Sequence, residues 1–80
     1  MGFDKETFSH RMKVARMERR MSQEDLAKAS GLSVNQIARY EACYSVPGLD
    51  KVCRLADALG VTTDYLAGLS EPLIAAAERK

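Results

Sequence analysis

The chain has no uncharged apolar run near the ~20 residues needed to cross a bilayer, and no segment alternates with the period of two that marks a strand. The first absence excludes a transmembrane helix, and the second excludes a sheet protein. The N-terminus lacks the basic-then-apolar order of a signal peptide. Glu6 stands where a Met-Gly myristoylation signal needs Ser or Thr. A cytoplasmic protein with no membrane association is expected. Histidine is scarce, with His10 alone, and the two cysteines, Cys43 and Cys53, are too few for a disulfide framework or a metal-ligand set. Cys53 is expected at an inward helical position as a small core residue. Cys43 is expected to be partly exposed at the end of a helix. There is no nucleophile–base pair, no carboxylate pair and no glycine-rich phosphate loop, so neither an enzyme nor a cofactor is expected. Excess charge is also lacking: 12 Lys and Arg against 11 Asp and Glu leave a net +1. Distribution is more telling, because His10, Arg11, Lys13, Arg16, Arg19 and Arg20 crowd one segment.

What is present is a series of short helical patterns. At 80 residues the chain can hide only about 60–65% of its unfolded surface, which suffices for one small core. Asp4 can cap a first helix from about Lys5 to Arg20, with Phe8, Met12 and Ala15 on its buried stripe. Met12 and Met21 read as core filler. Further helices are expected over Gln23–Ser30, Val34–Ala42, Leu49–Leu59 and Thr63–Ala67. A loop around Pro47 separates the third from the fourth. The fourth buries Val52, Leu55, Ala56 and Leu59, and the fifth brings Tyr65 and Leu66 to the core. The fold class is all-α, a compact five-helix bundle over residues 1–69. The tail, 70–80, can add a short sixth helix: Pro72 suits a first turn and Leu73 to Ala77 favour helix. So short a helix is marginal alone and must either fray or dock Leu73, Ile74 and Ala77 on this domain or on a second copy.

Residues 22–41 carry the most information. Ser22 can accept from the free amides that open a helix, with Asp25 as its capping-box partner. Gly31 tolerates the left-handed backbone that ends the helix. Ser33 then caps a second helix, with Gln36 as the reciprocal partner. Ile37, Tyr40 and Glu41 share one face of that helix, while Asn35, Ala38, Arg39 and Ala42 share the other. Two short helices about one tight turn, the second with an amide and a guanidinium facing outward, form a helix-turn-helix able to enter a DNA major groove.

At Ser22-Gln23-Glu24, Leu26-Ala27, Gly31-Leu32-Ser33, Ile37, Glu41, Pro47 and the run from Leu55 to Val61, the chain resembles the lambda-repressor and Cro-like helix-turn-helix domains, the XRE-family regulators. The resemblance spans about Phe8 to Leu69, and the combination is far more specific than any piece. It implies a bundle of lambda-repressor type and a regulator that binds double-stranded DNA. It also implies that Gln23 contacts the DNA backbone, to which the free amides and dipole of its helix start add a phosphate site. Ser22 and Ser33 join it as phosphate contacts beside their capping roles. Asn35 can pair with adenine and Arg39 with guanine. Gln36 can help if capping leaves its side chain free. Val34 can touch a thymine methyl or pack against the neighbouring helix. The resemblance further implies that Arg16 and Glu41 pair to brace the recognition helix, with Arg16 keeping donors for a phosphate.

Three departures bear on strength. Cys43 and Arg20 stand where the family commonly has glycine, and Tyr44-Ser45-Val46 lacks the basic residues that often hold phosphate there. Modest affinity argues for a homodimer reading a palindrome, with Leu66, Leu69, Leu73 and Ile74 as interface candidates unless they complete the monomer core. Repression is the expected sign of regulation. The alternative is an antitoxin-like interaction module whose tail binds a partner protein.

Overall fold

Each helix begins at a residue that can hold the backbone extended, and four of the five begin at a side chain that accepts a first-turn amide. In the computed structural model, which describes residues 4–69, Asp4 caps α1 (Lys5–Glu18), Ser22 caps α2 (Gln23–Ser30), Ser33 caps α3 (Val34–Glu41) and Thr62 caps α5 (Thr63–Ala67). Only α4 (Leu49–Leu59) starts without a side-chain cap, at Gly48. Both expected capping boxes form, Ser22 with Asp25 and Ser33 with Gln36.

The helix ends share one device. After α1 to α5 the chain passes through a left-handed residue, respectively Arg20, Gly31, Cys43, Gly60 and Gly68. The next amide then bonds back to a carbonyl in the last turn: Met21 to Arg16, Leu32 to Ala27, Tyr44 to Arg39, Val61 to Ala56 and Leu69 to Asp64, all at 2.9–3.1 Å. This closure ends α1 at Glu18, two residues short of the expected Arg20, and α3 at Glu41.

The described residues contain no strand. α2 packs on α3 and α4, and α1 lies across α5, α3 and α4. The core draws Phe8, Met12 and Ala15 from α1 and Leu26 and Ala27 from α2. It takes Ile37 and Tyr40 from α3, with Val52, Leu55, Ala56 and Leu59 from α4. Phe8 meets Tyr40 edge to face, centroids 6.4 Å apart. One expectation is corrected, and one open alternative is resolved. Cys53 is exposed: it follows the inward Val52 by one residue, a rotation of about 100° that takes it off the buried stripe. Leu66 is fully buried, because α5 turns it toward α1. It completes the monomer core and offers nothing to a second copy.

Candidate nucleic-acid interface

The α2–turn–α3 unit is fixed at its inner side by an ion pair. Arg16 Nε donates to Glu41 Oε2 at 2.6 Å and its Nη2 to Oε1 at 3.1 Å, the two-pronged fit of guanidinium and carboxylate. The side chains are only 12% and 5% exposed. Removing such a pair from water costs several kcal/mol per ion unless the other polar atoms are satisfied. Here they are: Arg16 Nη1 donates to the Met21 carbonyl at 2.7 Å, and Gln23 Nε2 donates to Glu41 Oε1 at 3.1 Å. From the far side, Ser9 Oγ donates to the Glu41 carbonyl at 2.7 Å. One carboxylate at the end of α3 thus ties together α1 and the first residue of α2.

The outward side is unencumbered. Asn35 and Arg39 are both exposed, and Arg39 forms no ion pair among the described residues. Val34 beside them is 40% exposed. No acid lies in the first turn of α3, and the Glu41 charge is matched inside the fold. The exposed edge of α3 therefore carries a guanidinium and an amide that find no partner among the described residues. Gln36 differs. Its Oε1 accepts from the Ser33 amide at 3.0 Å, and its side chain hydrogen-bonds the Tyr40 hydroxyl. Burial pushes the Tyr40 phenol above its ordinary pKa, opposed by that Gln36 bond. Capping and the Tyr40 bond thus occupy Oε1 and one Nε2 hydrogen of Gln36, which leaves the second hydrogen for a base.

At the start of α2, Ser22 Oγ accepts from the Asp25 amide and Asp25 Oδ2 from the Ser22 amide, both at 2.9 Å. The amides of residues 23 and 24 precede any intrahelical carbonyl and point out along the axis. Glu24 and Asp25 stand in the same turn and oppose an anion there. Gln23 is half-buried, one amide hydrogen committed to Glu41. Ser33 Oγ is engaged with Gln36, accepting its backbone amide at 3.1 Å. Arg16 retains two unused N–H groups but little exposure, which makes it first a brace. Leu69 is 58% exposed, whereas Leu73 and Ile74 lie outside the described residues.

Sequence reasoning paired Arg16 with Glu41 but missed Ser9, the Met21 carbonyl and the Gln23 link. It also missed Arg11, which donates to the Tyr65 carbonyl at 2.6 Å and lies 4.5 Å from that ring's centroid. No short-range pattern marks a serine that meets a backbone carbonyl 32 residues away.

A capped helix, a glycine turn and a second capped helix with a polar outward edge define a helix-turn-helix domain. The chain belongs to the helix-turn-helix family, whose profile matches residues 12–66, in its XRE, Cro- and repressor-like branch. It is 33% identical over 61 residues to the HTH-type transcriptional regulator ImmR of Bacillus subtilis (strain 168), covering 76% of this chain and 48% of ImmR. It is 32% identical over 73 residues to the HTH-type transcriptional regulator YobD of the same strain, covering 91% of this chain and 65% of YobD. The chain thus spans between about half and two thirds of these curated relatives. Among solved structures, the restriction-modification controller protein C.AhdI from Aeromonas hydrophila superposes with a TM-score of 0.72 at 30% identity, covering 75% of this chain and 91% of that one. The P22 c2 repressor protein, in complex with a synthetic operator, superposes with a TM-score of 0.74 at 25% identity, covering 79% and 96%.

Proposed function

We propose that this chain is a sequence-specific, double-stranded-DNA-binding transcriptional regulator. It acts as a repressor and occupies a palindromic operator as a homodimer, with α3 in the major groove. The observation that carries the reading is the asymmetry of α3. Its only acid is locked inward on Arg16, while Asn35 and Arg39 stand outward without partners among the described residues. Arg39 suits guanine O6 and N7, Asn35 suits the adenine edge, and Val34 suits a thymine methyl. Gln23 and the amides opening α2 supply the phosphate contact, with Ser22, Ser33 and Arg16 at its margins. The names of the relatives, HTH-type transcriptional regulators and an operator-bound repressor, support the same assignment. A twofold pair places two recognition helices about 34 Å apart, one DNA turn, and Leu69 is the described residue offered to that contact.

Selection of bound duplexes from a random pool at fixed salt tests this. The expected product is an inverted repeat with half-site centres about 10–10.5 base pairs apart. An enriched pool without a repeated element would reject the dimer. Binding of the selected duplex undiminished in Asn35→Ala and Arg39→Ala would reject the reading surface.

A further inference from the structure

One hydrogen bond reaches beyond the brace between α1 and α3. Arg16 occupies both oxygens of the Glu41 carboxylate, which suffices to fix α1 against the end of α3. Oε1 nonetheless accepts a further bond of 3.1 Å from Nε2 of Gln23, the first residue of α2. Gln23 stands 18 residues from Glu41 and Arg16 stands 25, so only the tertiary fold brings the three together.

Chemistry fixes the sense of the Gln23 contact. Both Glu41 oxygens already act as acceptors, so Gln23 turns its NH2 to them and not its carbonyl. One Nε2 hydrogen is committed to Oε1 and the second stays available. An unanchored glutamine at a helix start samples many rotamers, and meeting a ligand there costs it that freedom. Glu41 removes the freedom in advance. The backbone amide of Gln23 precedes any intrahelical carbonyl, so residue 23 offers two donors, one on the backbone and one on a side chain already held. A carboxylate beside an anion is tolerable here because the Arg16 guanidinium matches its charge through two bonds. Glu24 and Asp25 in the same turn repel an anion, which makes donors set in place beforehand count for more.

We infer that Glu41 is a positioning residue for phosphate binding. By holding the Gln23 carboxamide it presents the second Nε2 hydrogen, together with the Gln23 backbone amide, to a phosphate of the DNA backbone. The inference rests on the DNA-binding reading proposed above and gives Glu41 a part in it that bracing α3 does not supply.

A double-mutant cycle on the full chain tests it. Affinity for the selected duplex is measured at fixed salt and referred to the folded fraction by circular dichroism at the assay temperature. Gln23→Ala should weaken wild-type binding by about tenfold, the loss of one hydrogen bond to a charged group. In the Glu41→Gln background the same change should weaken it only about threefold, because the carboxamide is no longer held. The comparison cancels what Glu41→Gln does by itself to the placement of α3 or to net charge. Glu41→Asp, which keeps the charge and draws the oxygens back by one methylene, should give the same reduction if Glu41→Gln does not fold. Equal losses in the wild-type and variant backgrounds would overturn the inference and leave Glu41 a brace alone. A second readout needs no DNA: the Gln23 hydrogen held by Glu41 should exchange with water several-fold more slowly than the side-chain amide hydrogens of exposed Asn35. Equal exchange rates overturn the inference as well. A wild-type chain that binds no duplex sinks the DNA reading itself, whereas equal losses with wild-type binding intact sink this inference alone.

Discussion

A carboxylate as enclosed as that of Glu41, 5% exposed, is tolerated only where its partners replace water. Arg16 does so with two hydrogen bonds and Gln23 with a third. Glu41→Ala strands the guanidinium of Arg16 in a site with little water. It should lower unfolding free energy by about 3–5 kcal/mol, read from the urea midpoint at unchanged m-value. Wild-type stability would remove Glu41 from its bracing role. Cys43 presents the opposite case, a residue at odds with its backbone. Its φ of +65° places a Cβ in a left-handed conformation that costs an L-residue about 1–2 kcal/mol. Its thiol recovers only a weak contact to the Lys5 carbonyl at 3.6 Å. Cys43→Gly relieves that strain against a glycine entropy cost of about 0.5–1 kcal/mol. A net gain of about 0.5–1 kcal/mol in chemical denaturation is expected, and a loss would show the thiol contact to be worth more than the strain.

At the scale of elements, each helix is a cassette with an extended entry and a left-handed exit. α4 is the incomplete one, since its N-cap, Gly48, offers no side chain although an added Cβ would meet nothing within 4 Å. Gly48→Ser should accept a first-turn amide and reduce the freedom of the unfolded chain, raising stability by about 0.5–1 kcal/mol. An unchanged thermal midpoint would show that this entry is already satisfied by solvent. The entry to α2 is sensitive to acid. Hydrogen bonds from Ser22, the backbone amide first, hold the Asp25 carboxyl below its ordinary pKa of 3.8. Because the folded value is the lower one, the cap's contribution is complete above 3.8. It is lost as pH falls through the depressed folded value. The Ser22 amide resonance should therefore titrate with a midpoint below 3.8, and a midpoint above it would contradict the capping box.

For the whole molecule, the balance of charge matters more than its sum. With a net +1 and no basic residue in the loop 44–46 after α3, the proposed DNA affinity rests on few phosphate contacts, and its salt dependence should be shallow. Tyr44 is 79% exposed on that loop, so Tyr44→Lys adds a cation without disturbing the core. It should steepen the slope of log K against log salt by about 0.9, one phosphate's worth. An unchanged slope would place this loop away from the DNA.

The local grammar of the chain was legible without coordinates. Asp4, Ser22 and Ser33 as caps, Gly31 as an exit, and the apolar stripe of α4 all act over fewer than about five residues, the range at which caps and helical periodicity operate. The resemblance to XRE regulators added the Arg16–Glu41 pair, which spacing alone does not reveal. Packing decided the rest. It turned Cys53 outward, committed Gln36 to Ser33 and Tyr40, and drew Ser9 and Gln23 onto Glu41. The two contacts to Glu41 join residues 32 and 18 apart. The sequence by itself determined where each helix starts and, to within two residues, where it stops, because those choices are settled by neighbouring hydrogen bonds. Only the tertiary structure decided which side chains remain free to read another molecule, because that depends on the atoms distant helices bring within reach.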